Sequence, residues 1–162
     1  AKNGHRCMTM SRSAALVDAV CDRLRVPNEA RNLARLVARE HGLIHKAAEL
    51  RPATLVQLLE RLDGVRRPAR MHDVLAACEA DFRGRLGFRD RPYAAPARVL
   101  AALEAARSVD AGAIAALAAG QGSADEIRER IHAARVAAVT LALAGNDEGD
   151  GEGGREGGRE GA

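Results

Sequence analysis

The chain has 162 residues, which is too few for a multi-domain enzyme and enough for one or two small helical units. Hydrophobic residues make up 47% of the sequence and aromatic residues only 2%. Because the apolar residues are mainly Ala, Leu and Val, the composition predicts an all-α fold of about seven helices. The net charge is +3, and since segment 145–162 carries −4, the preceding residues carry a basic surplus of +7.

The beginning of the chain predicts an irregular start followed by one helix. Residues 1–11 (AKNGHRCMTMS) show no apolar period, so we expect no regular structure there. Ser13 can cap the first helix, and Pro27 ends it. The side chains that follow the i, i+3, i+4, i+7 spacing and should face a core are Leu16, Val17, Val20, Cys21 and Leu24.

Two further helices are predicted before residue 63. Asn28 can cap the second helix, which Gly42 breaks, and Pro52 suits the first turn of a third helix over about 53–62. The predicted inward residues of both helices are Leu33, Ala34, Leu36, Val37, Leu55, Leu58, Leu59 and Leu62. A basic ridge on another face of the second helix comprises Arg31, Arg35 and Arg39.

The later part of the chain predicts four more helices and a tail. Pro68 opens the first of these, residues 87–96 form an irregular loop, and the next helix spans about 97–108. Asp110 can cap a short helix. The capping box at 123–126 (SADE) starts a long final helix toward residue 143. From 145 onward glycine alternates with charge, which predicts a disordered tail.

Candidate metal and acid/base residues are few. His41 and His45 are four residues apart, which on a helix places both on one face as a metal pair, or as an unliganded pair of histidines. The dipeptide at 72–73 (HD) falls at a helix start, where an acid simply favours the helix dipole. Glu79 and Asp81 are two residues apart, so on a helix they point in different directions and cannot form an acid/base pair; we expect them to pair with Arg83 or Arg85. No catalytic residue is predicted.

Arginine accounts for nearly all of the positive charge, since Lys occurs only at Lys2 and Lys46. The planar guanidinium suits bidentate phosphate contacts, although an arginine-rich solvated surface in a genome with biased codons gives the same composition. With few aromatic residues, a duplex-like RNA backbone is a better target than an unpaired strand. The predicted RNA-contacting residues are Arg31, Arg35, Arg39, Arg66, Arg67, Arg70, Arg83 and Arg85.

Three cysteines at widely spaced positions form neither a disulfide framework nor a zinc motif. This pattern is typical of a reducing cytoplasm, where we expect the protein. No apolar run is long enough to cross a bilayer, so no membrane partner is expected.

Several short strings together resemble bacterial multifunctional CCA proteins. The strings are 21–28 (CDRLRVPN), 33–37 (LARLV), 40–41 (EH), 43–45 (LIH), 66–68 (RRP), 79–87 (EADFRGRLG) and 92–93 (PY). Their order and spacing resemble the region that follows the HD motif in that family. The helix at 122–139 is similar to the last helix of the family, so the resemblance covers about residues 12–140.

The resemblance implies a function through the intact family. Its members add CCA to the 3′ end of tRNA from CTP and ATP with Mg²⁺, and their long form carries an HD phosphohydrolase domain that uses Ni²⁺ or Mg²⁺. The nucleotidyltransferase head and most HD metal ligands have no counterpart in these 162 residues. His41 matches the late histidine of the HD site, and no cofactor is expected for this chain alone.

The resemblance also implies a domain organisation. Residues 12–50 correspond to the rear of an HD domain and residues 51–144 to the helical body and tail that bind tRNA. The expected partner is tRNA, not DNA, and the exposed surface of the HD remnant could support self-association. A residual metal-dependent phosphohydrolase and a non-functional truncated remnant are the two alternatives.

Overall fold

The computed structural model describes the backbone of residues 4–118 and 122–149 and the side chains of residues 13–118 and 122–145. Within these ranges the protein is all-α, with seven α-helices, one short 3-10 turn at Ala47–Glu49 and no β-strand. This confirms the predicted fold class. The helices are α1 Gly4–Leu24, α2 Asn28–Ile44, α3 Pro52–Arg61, α4 Pro68–Arg83, α5 Ala95–Arg107, α6 Ala111–Ala118 and α7 Ala124–Gly149.

Helix α3 lies at the centre of the core. It packs against α5 and α7, while α7 also contacts α5 and α6, and α2 packs against α4. The predicted inward face of α3 is confirmed, because its leucines are fully buried together with Val56. The fully buried residues of this helix and its end are Leu55, Val56, Leu58, Leu59 and Leu62.

Helix α1 packs against α2 in a hairpin that two ion pairs cross. Arg31 of α2 lies 2.7 Å from an Asp22 carboxylate oxygen, and Arg35 bonds Asp18. The Arg35 contact lowers the pKa of Asp18, chiefly through the hydrogen bond that the carboxylate accepts. Two members of the predicted basic ridge therefore join helices within the protein.

The predicted core face of α1 is only partly correct. Cys21 is buried, but Leu16, Val20 and Leu24 are 67%, 44% and 63% exposed. Among the described residues, α2 is the main neighbour of α1. The edge of the apolar stripe that meets α2 is therefore covered, and the rest of the stripe is not. Self-association through the uncovered face stays a prediction.

Several predicted helix boundaries differ from the structure. Gly42 does not break α2, which continues to Ile44; burial of that side chain offsets the cost of glycine, about 1 kcal/mol relative to alanine. Ser13 lies inside α1 rather than at its cap. Pro27 occupies the N-cap position predicted for Asn28, and no side chain caps α2.

Both ends of the described chain are more helical than predicted. Helix α1 begins at Gly4, so the prediction of an irregular start is wrong for residues 4–11. Helix α7 continues to Gly149, so the prediction of disorder is wrong for residues 145–149. An established helix gains a hydrogen bond for each residue it adds, which permits extension through weak helix formers. Residues 1–3 and 150–162 lie outside the described residues.

The helix starts that the sequence predicted after residue 50 are confirmed by their local contacts. Pro52 and Pro68 each stand in the first turn of a helix. Asp110 accepts a hydrogen bond from the backbone amide of Ala113 at 2.8 Å. Ser123 and Glu126 each accept the other's backbone amide hydrogen, at 3.2 and 2.7 Å, which is the predicted capping box. None of the described helices has an apolar stretch sufficient to cross a membrane.

A partly buried ion pair joins α2 to α3. Arg61 donates from Nε to Glu40 Oε1 and from a terminal nitrogen to Oε2, both at 3.1 Å. Glu40 is only 7% exposed, so its carboxylate depends on this bidentate contact. The sequence showed no sign of this pairing, because the two residues are 21 positions apart.

Substitution of Arg61 tests the importance of this contact. We expect Arg61→Met, which keeps the apolar stem, to lower the free energy of unfolding by about 1–3 kcal/mol, because a nearly buried carboxylate loses its donors. Urea denaturation measures this change. The double variant E40Q/R61M should recover part of the loss. The exposed Arg51→Met serves as control, and an equal effect of both single variants would contradict the interpretation.

Candidate functional site

Residues from the most distinctive strings come together at one place in the fold. His41 and His45 lie at the end of α2, and Asp81 lies near the end of α4. Tyr93 follows in the irregular loop over residues 84–94, which connects α4 to α5. The sequence indicated each of these segments separately, and the packing of α2 against α4 brings them together.

His45 connects the three segments through both of its ring nitrogens. Nε2 lies 3.0 Å from Asp81 Oδ2, and Nδ1 lies 3.0 Å from the Tyr93 hydroxyl. Because a carboxylate only accepts, Nε2–H donates to Asp81, and in the neutral ring Nδ1 accepts from the Tyr93 hydroxyl. Arg85 donates to the same Asp81 oxygen at 2.7 Å. Both nitrogens of His45 are therefore engaged within the protein.

All three aromatic residues of the chain form one aromatic cluster, Phe82, Phe88 and Tyr93. Phe82 stacks on Tyr93 with ring centroids 4.5 Å apart and meets Phe88 edge to face at 5.2 Å. The His45 ring lies 5.8 Å from the Tyr93 ring. Concentrating every aromatic ring here gives the loop a small apolar support of its own.

Two exposed arginines hold the backbone of the loop. Arg83 donates to the backbone carbonyl of Arg89 at 2.7 Å, and Arg91 donates to that of Gly87 at 3.1 Å. The Arg91 guanidinium also lies over the Phe88 ring, 4.3 Å from its centroid. Gly87 has φ of +79°, a conformation that favours glycine and allows the sharp turn. The loop is therefore a defined surface.

The surroundings of the site shift three pKa values. The Arg85 hydrogen bond, opposed by burial and aided by His45, lowers the pKa of Asp81. Burial raises the pKa of the Tyr93 hydroxyl to about 12, which keeps it a donor at neutral pH. Burial also raises the pKa of the Cys78 thiol to about 12, so the sulfur is a poor nucleophile there.

The two histidines of the predicted pair lie next to each other at the end of α2, and a metal ligand role for His41 stays a prediction. The two rings stand edge to face, with centroids 5.9 Å apart. His41 Nδ1 faces the Val37 carbonyl at 3.0 Å, which leaves Nε2 as the one nitrogen of the pair outside these contacts. Metal sites usually use three or more protein ligands. No group of three His, Cys, Asp or Glu suited to a metal occurs among the described residues.

The structure separates the eight predicted RNA-contacting arginines into two sets. Six form ion pairs within the protein: Arg31 with Asp22, Arg35 with Asp18, Arg66 and Arg67 with Asp63, Arg83 with Glu79 and Arg85 with Asp81. The last two pairs confirm the predicted partners of Glu79 and Asp81. The side chains of Arg39 and Arg70 form no hydrogen bond or ion pair with the described part of the chain, so both guanidinium groups are available to an external anion.

A second group of charged residues lies between α3 and α7, and no pattern in the sequence predicted that its members would meet. Glu60 of α3 accepts from Arg135 of α7 at 3.1 Å and lies 2.9 Å from His132 Nδ1, across sequence separations of 75 and 72 residues. Arg128 lies one helical turn before His132. Only the packing of α7 on α3 brings this group together.

The lowered pKa of Asp81 predicts a pH dependence. Because its folded pKa lies below the ordinary value of 3.8, the ionised carboxylate stabilises the fold well above pH 3.8. This stabilisation disappears as the pH falls through the folded pKa. We expect Asp81→Asn to lower stability at neutral pH and to flatten its decline in acid, as measured by urea denaturation between pH 7 and 2.5. Asp73→Asn, an exposed control, should leave the decline unchanged; equal profiles for both variants would contradict the assignment.

The sequence of this chain is similar to proteins named Multifunctional CCA protein. The one from Cupriavidus necator is 57% identical over 135 residues, which are 83% of this chain and 32% of the relative. The one from Acidovorax sp. strain JS42 is 58% identical over 129 residues, 79% of this chain and 30% of the relative. The one from Burkholderia cenocepacia is 54% identical over 135 residues, with coverage of 83% and 32%.

The chain spans about a third of the length of the curated relatives it matches. No protein-family model matches it, and neither does any solved structure. The family assignment therefore depends on sequence identity, which exceeds half of the aligned positions in each of these three relatives. Across the aligned residues, the chain belongs to the family of multifunctional CCA proteins and corresponds to their carboxyl-terminal portion.

Proposed function

We propose that this chain is the tRNA-binding part of a CCA-adding tRNA nucleotidyltransferase. The observation that supports it most is the identity of 52–58% to multifunctional CCA proteins over about four fifths of the chain. In the intact protein, addition of CCA from CTP and ATP would take place in the nucleotidyltransferase head. The described helices would hold the RNA.

The charge of the chain supports an RNA partner. The residues before the acidic segment 145–162 carry a surplus of seven positive charges, almost all on arginine. Arg39 and Arg70 can contact phosphate without breaking an ion pair, whereas Arg31 and Arg35 would have to release acids of α1. We therefore assign the phosphate contacts first to Arg39 and Arg70.

The placement of the aromatic rings supports recognition of the RNA backbone. All three rings pack against one another or against His45 in the aromatic cluster, which reduces the faces available to stack unpaired bases. A surface with arginines and few stacking platforms suits the phosphates and 2′-hydroxyls of an RNA helix. The proposed target is therefore a double-helical part of tRNA.

A residual phosphohydrolase has less support. His41 offers one free ring nitrogen, and His45 offers none without losing its bonds to Asp81 or Tyr93. Mg²⁺ or Ni²⁺ at this position would need further ligands from outside the described residues. The proposal for this chain is therefore binding of tRNA without chemistry.

Binding of tRNA by the full chain tests the proposal. We expect affinity that falls with salt, and the double variant R39Q/R70Q should weaken binding on the order of tenfold at 0.15 M salt through loss of phosphate contacts. Fluorescence anisotropy of labelled tRNA measures both effects. The slope of log K against log salt should become shallower by about one for each lost contact.

The matched control is R51Q/R130Q, which removes the same charge from two exposed arginines outside the predicted set. This variant should bind nearly as well as the parent chain. Absence of salt-dependent binding by the parent chain would end the proposal. Equal losses in the two double variants would show that net charge, rather than these contacts, determines affinity.

A further inference from the structure

A cleft lies between α3 and α7, away from the aromatic cluster. Its volume is about 810 Å³. One wall carries Gln57 and Glu60 of α3, with Arg66 from the turn that follows this helix. The other wall belongs to α7, and its basic residues are Arg128, His132 and Arg135. We call this space the α3–α7 cleft.

The basic residues of α7 reach the cleft because of their spacing. Positions 128, 132 and 135 follow an i, i+4, i+7 pattern, which places them on one face of a helix. Glu60 contacts two of them from the opposite wall, Arg135 at 3.1 Å and His132 at 2.9 Å. These contacts fix the positions of Arg135 and His132 and occupy both carboxylate oxygens of Glu60.

Two other arginines extend from opposite walls and remain adjustable. Arg66 is 78% exposed and lies 3.7 Å from Asp63, and Arg128 is 73% exposed and lies 2.5 Å from Asp125. Both are local surface ion pairs, which are worth little and exchange readily for a stronger anion. The cleft also contains the carboxylate of Glu129, so its basic character depends on these two arginines.

One nitrogen of the Arg135 side chain lacks an acceptor. The Nε of Arg135 is buried and has no hydrogen-bond partner within the described residues. Leaving a buried donor unpaired costs about 1–3 kcal/mol. This nitrogen is not accessible to a ligand, so an anion in the cleft would contact the terminal nitrogens of the same guanidinium group.

We infer that the α3–α7 cleft binds a phosphate group of the RNA backbone between Arg66 and Arg128, with Arg135 beneath it. Guanidinium groups on opposite sides match the several acceptor oxygens of a phosphodiester. The cleft has no Phe, Tyr or Trp side chain to stack a base, because the two Phe residues and the one Tyr of the chain lie in the aromatic cluster, and its His132 is held by Glu60. This inference rests on the proposed function, since it names a second contact region for the same tRNA.

Removing the two adjustable arginines tests the inference with the full chain. We expect R66Q/R128Q to weaken tRNA binding on the order of tenfold at 0.15 M salt and to make the salt slope shallower by about one. Gln57→Glu adds a negative charge to the same wall and should also weaken binding. Urea denaturation should show all these variants folded, because the substituted side chains are exposed.

The matched controls lie outside the cleft. R107Q/R130Q removes Arg107, which forms a similar i, i+3 surface pair, and the exposed Arg130, and Asn32→Asp adds an acid at an exposed position of α2. Both controls should retain the parent affinity. Unchanged binding by R66Q/R128Q together with weakened binding by R39Q/R70Q would overturn the inference and leave the proposed function intact.

ATP as competitor distinguishes the two sources of a phosphate group. If RNA is the ligand, millimolar ATP should displace little labelled tRNA. Binding of ATP that R66Q/R128Q abolishes, with tRNA affinity unchanged, would make the cleft a free-nucleotide site and overturn the inference. Failure of the parent chain to bind tRNA would instead overturn the proposed function, and this inference with it.

Discussion

Burial of α3 is the constraint on which the other contacts depend. Five apolar side chains of this helix and its end are fully buried, and each contributes about 1.5–3 kcal/mol when removed from water. Because this burial fixes the orientation of α3, two adjacent polar residues of the helix contact different neighbouring helices. Glu60 meets α7, and Arg61 meets Glu40 on α2. The same helix thus supports the ion pair to α2 and one wall of the α3–α7 cleft.

Apolar periodicity predicted the number and order of helices well, because local spacing determines which side chains share a face. The core face of α3 was correct for that reason. The face of α1 was not, since periodicity identifies an apolar stripe without showing whether another element covers it. Leu16 and Leu24 remain exposed although their spacing equals that of buried positions elsewhere. Capping signals worked where a side chain met its own helix, as at Ser123.

The candidate site was predictable only in pieces. The string that contains Asp81 and the one that contains His45 were recognisable, but the hydrogen bond between them spans 36 residues and depends on α2 packing against α4. Arginine spacing was also insufficient, because Arg31 and Arg39 fall on one ridge, yet only Arg31 forms an ion pair with an acid of α1. The sequence gives the positions of the arginines, whereas the packing of the helices determines which of them form ion pairs within the protein.

The way this protein uses its aromatic residues limits the ligands that it can recognise by stacking. A chain with many rings can use some in its core and present others to bases, whereas this chain has three and packs them together under the loop after α4. The remaining recognition groups on the described surface are mainly guanidiniums, whose natural targets are phosphates. Phosphate positions report the shape of an RNA helix and carry little direct sequence information. If tRNA is the partner, these helices would therefore recognise a shape that many tRNAs share, and base identity would have to be read elsewhere.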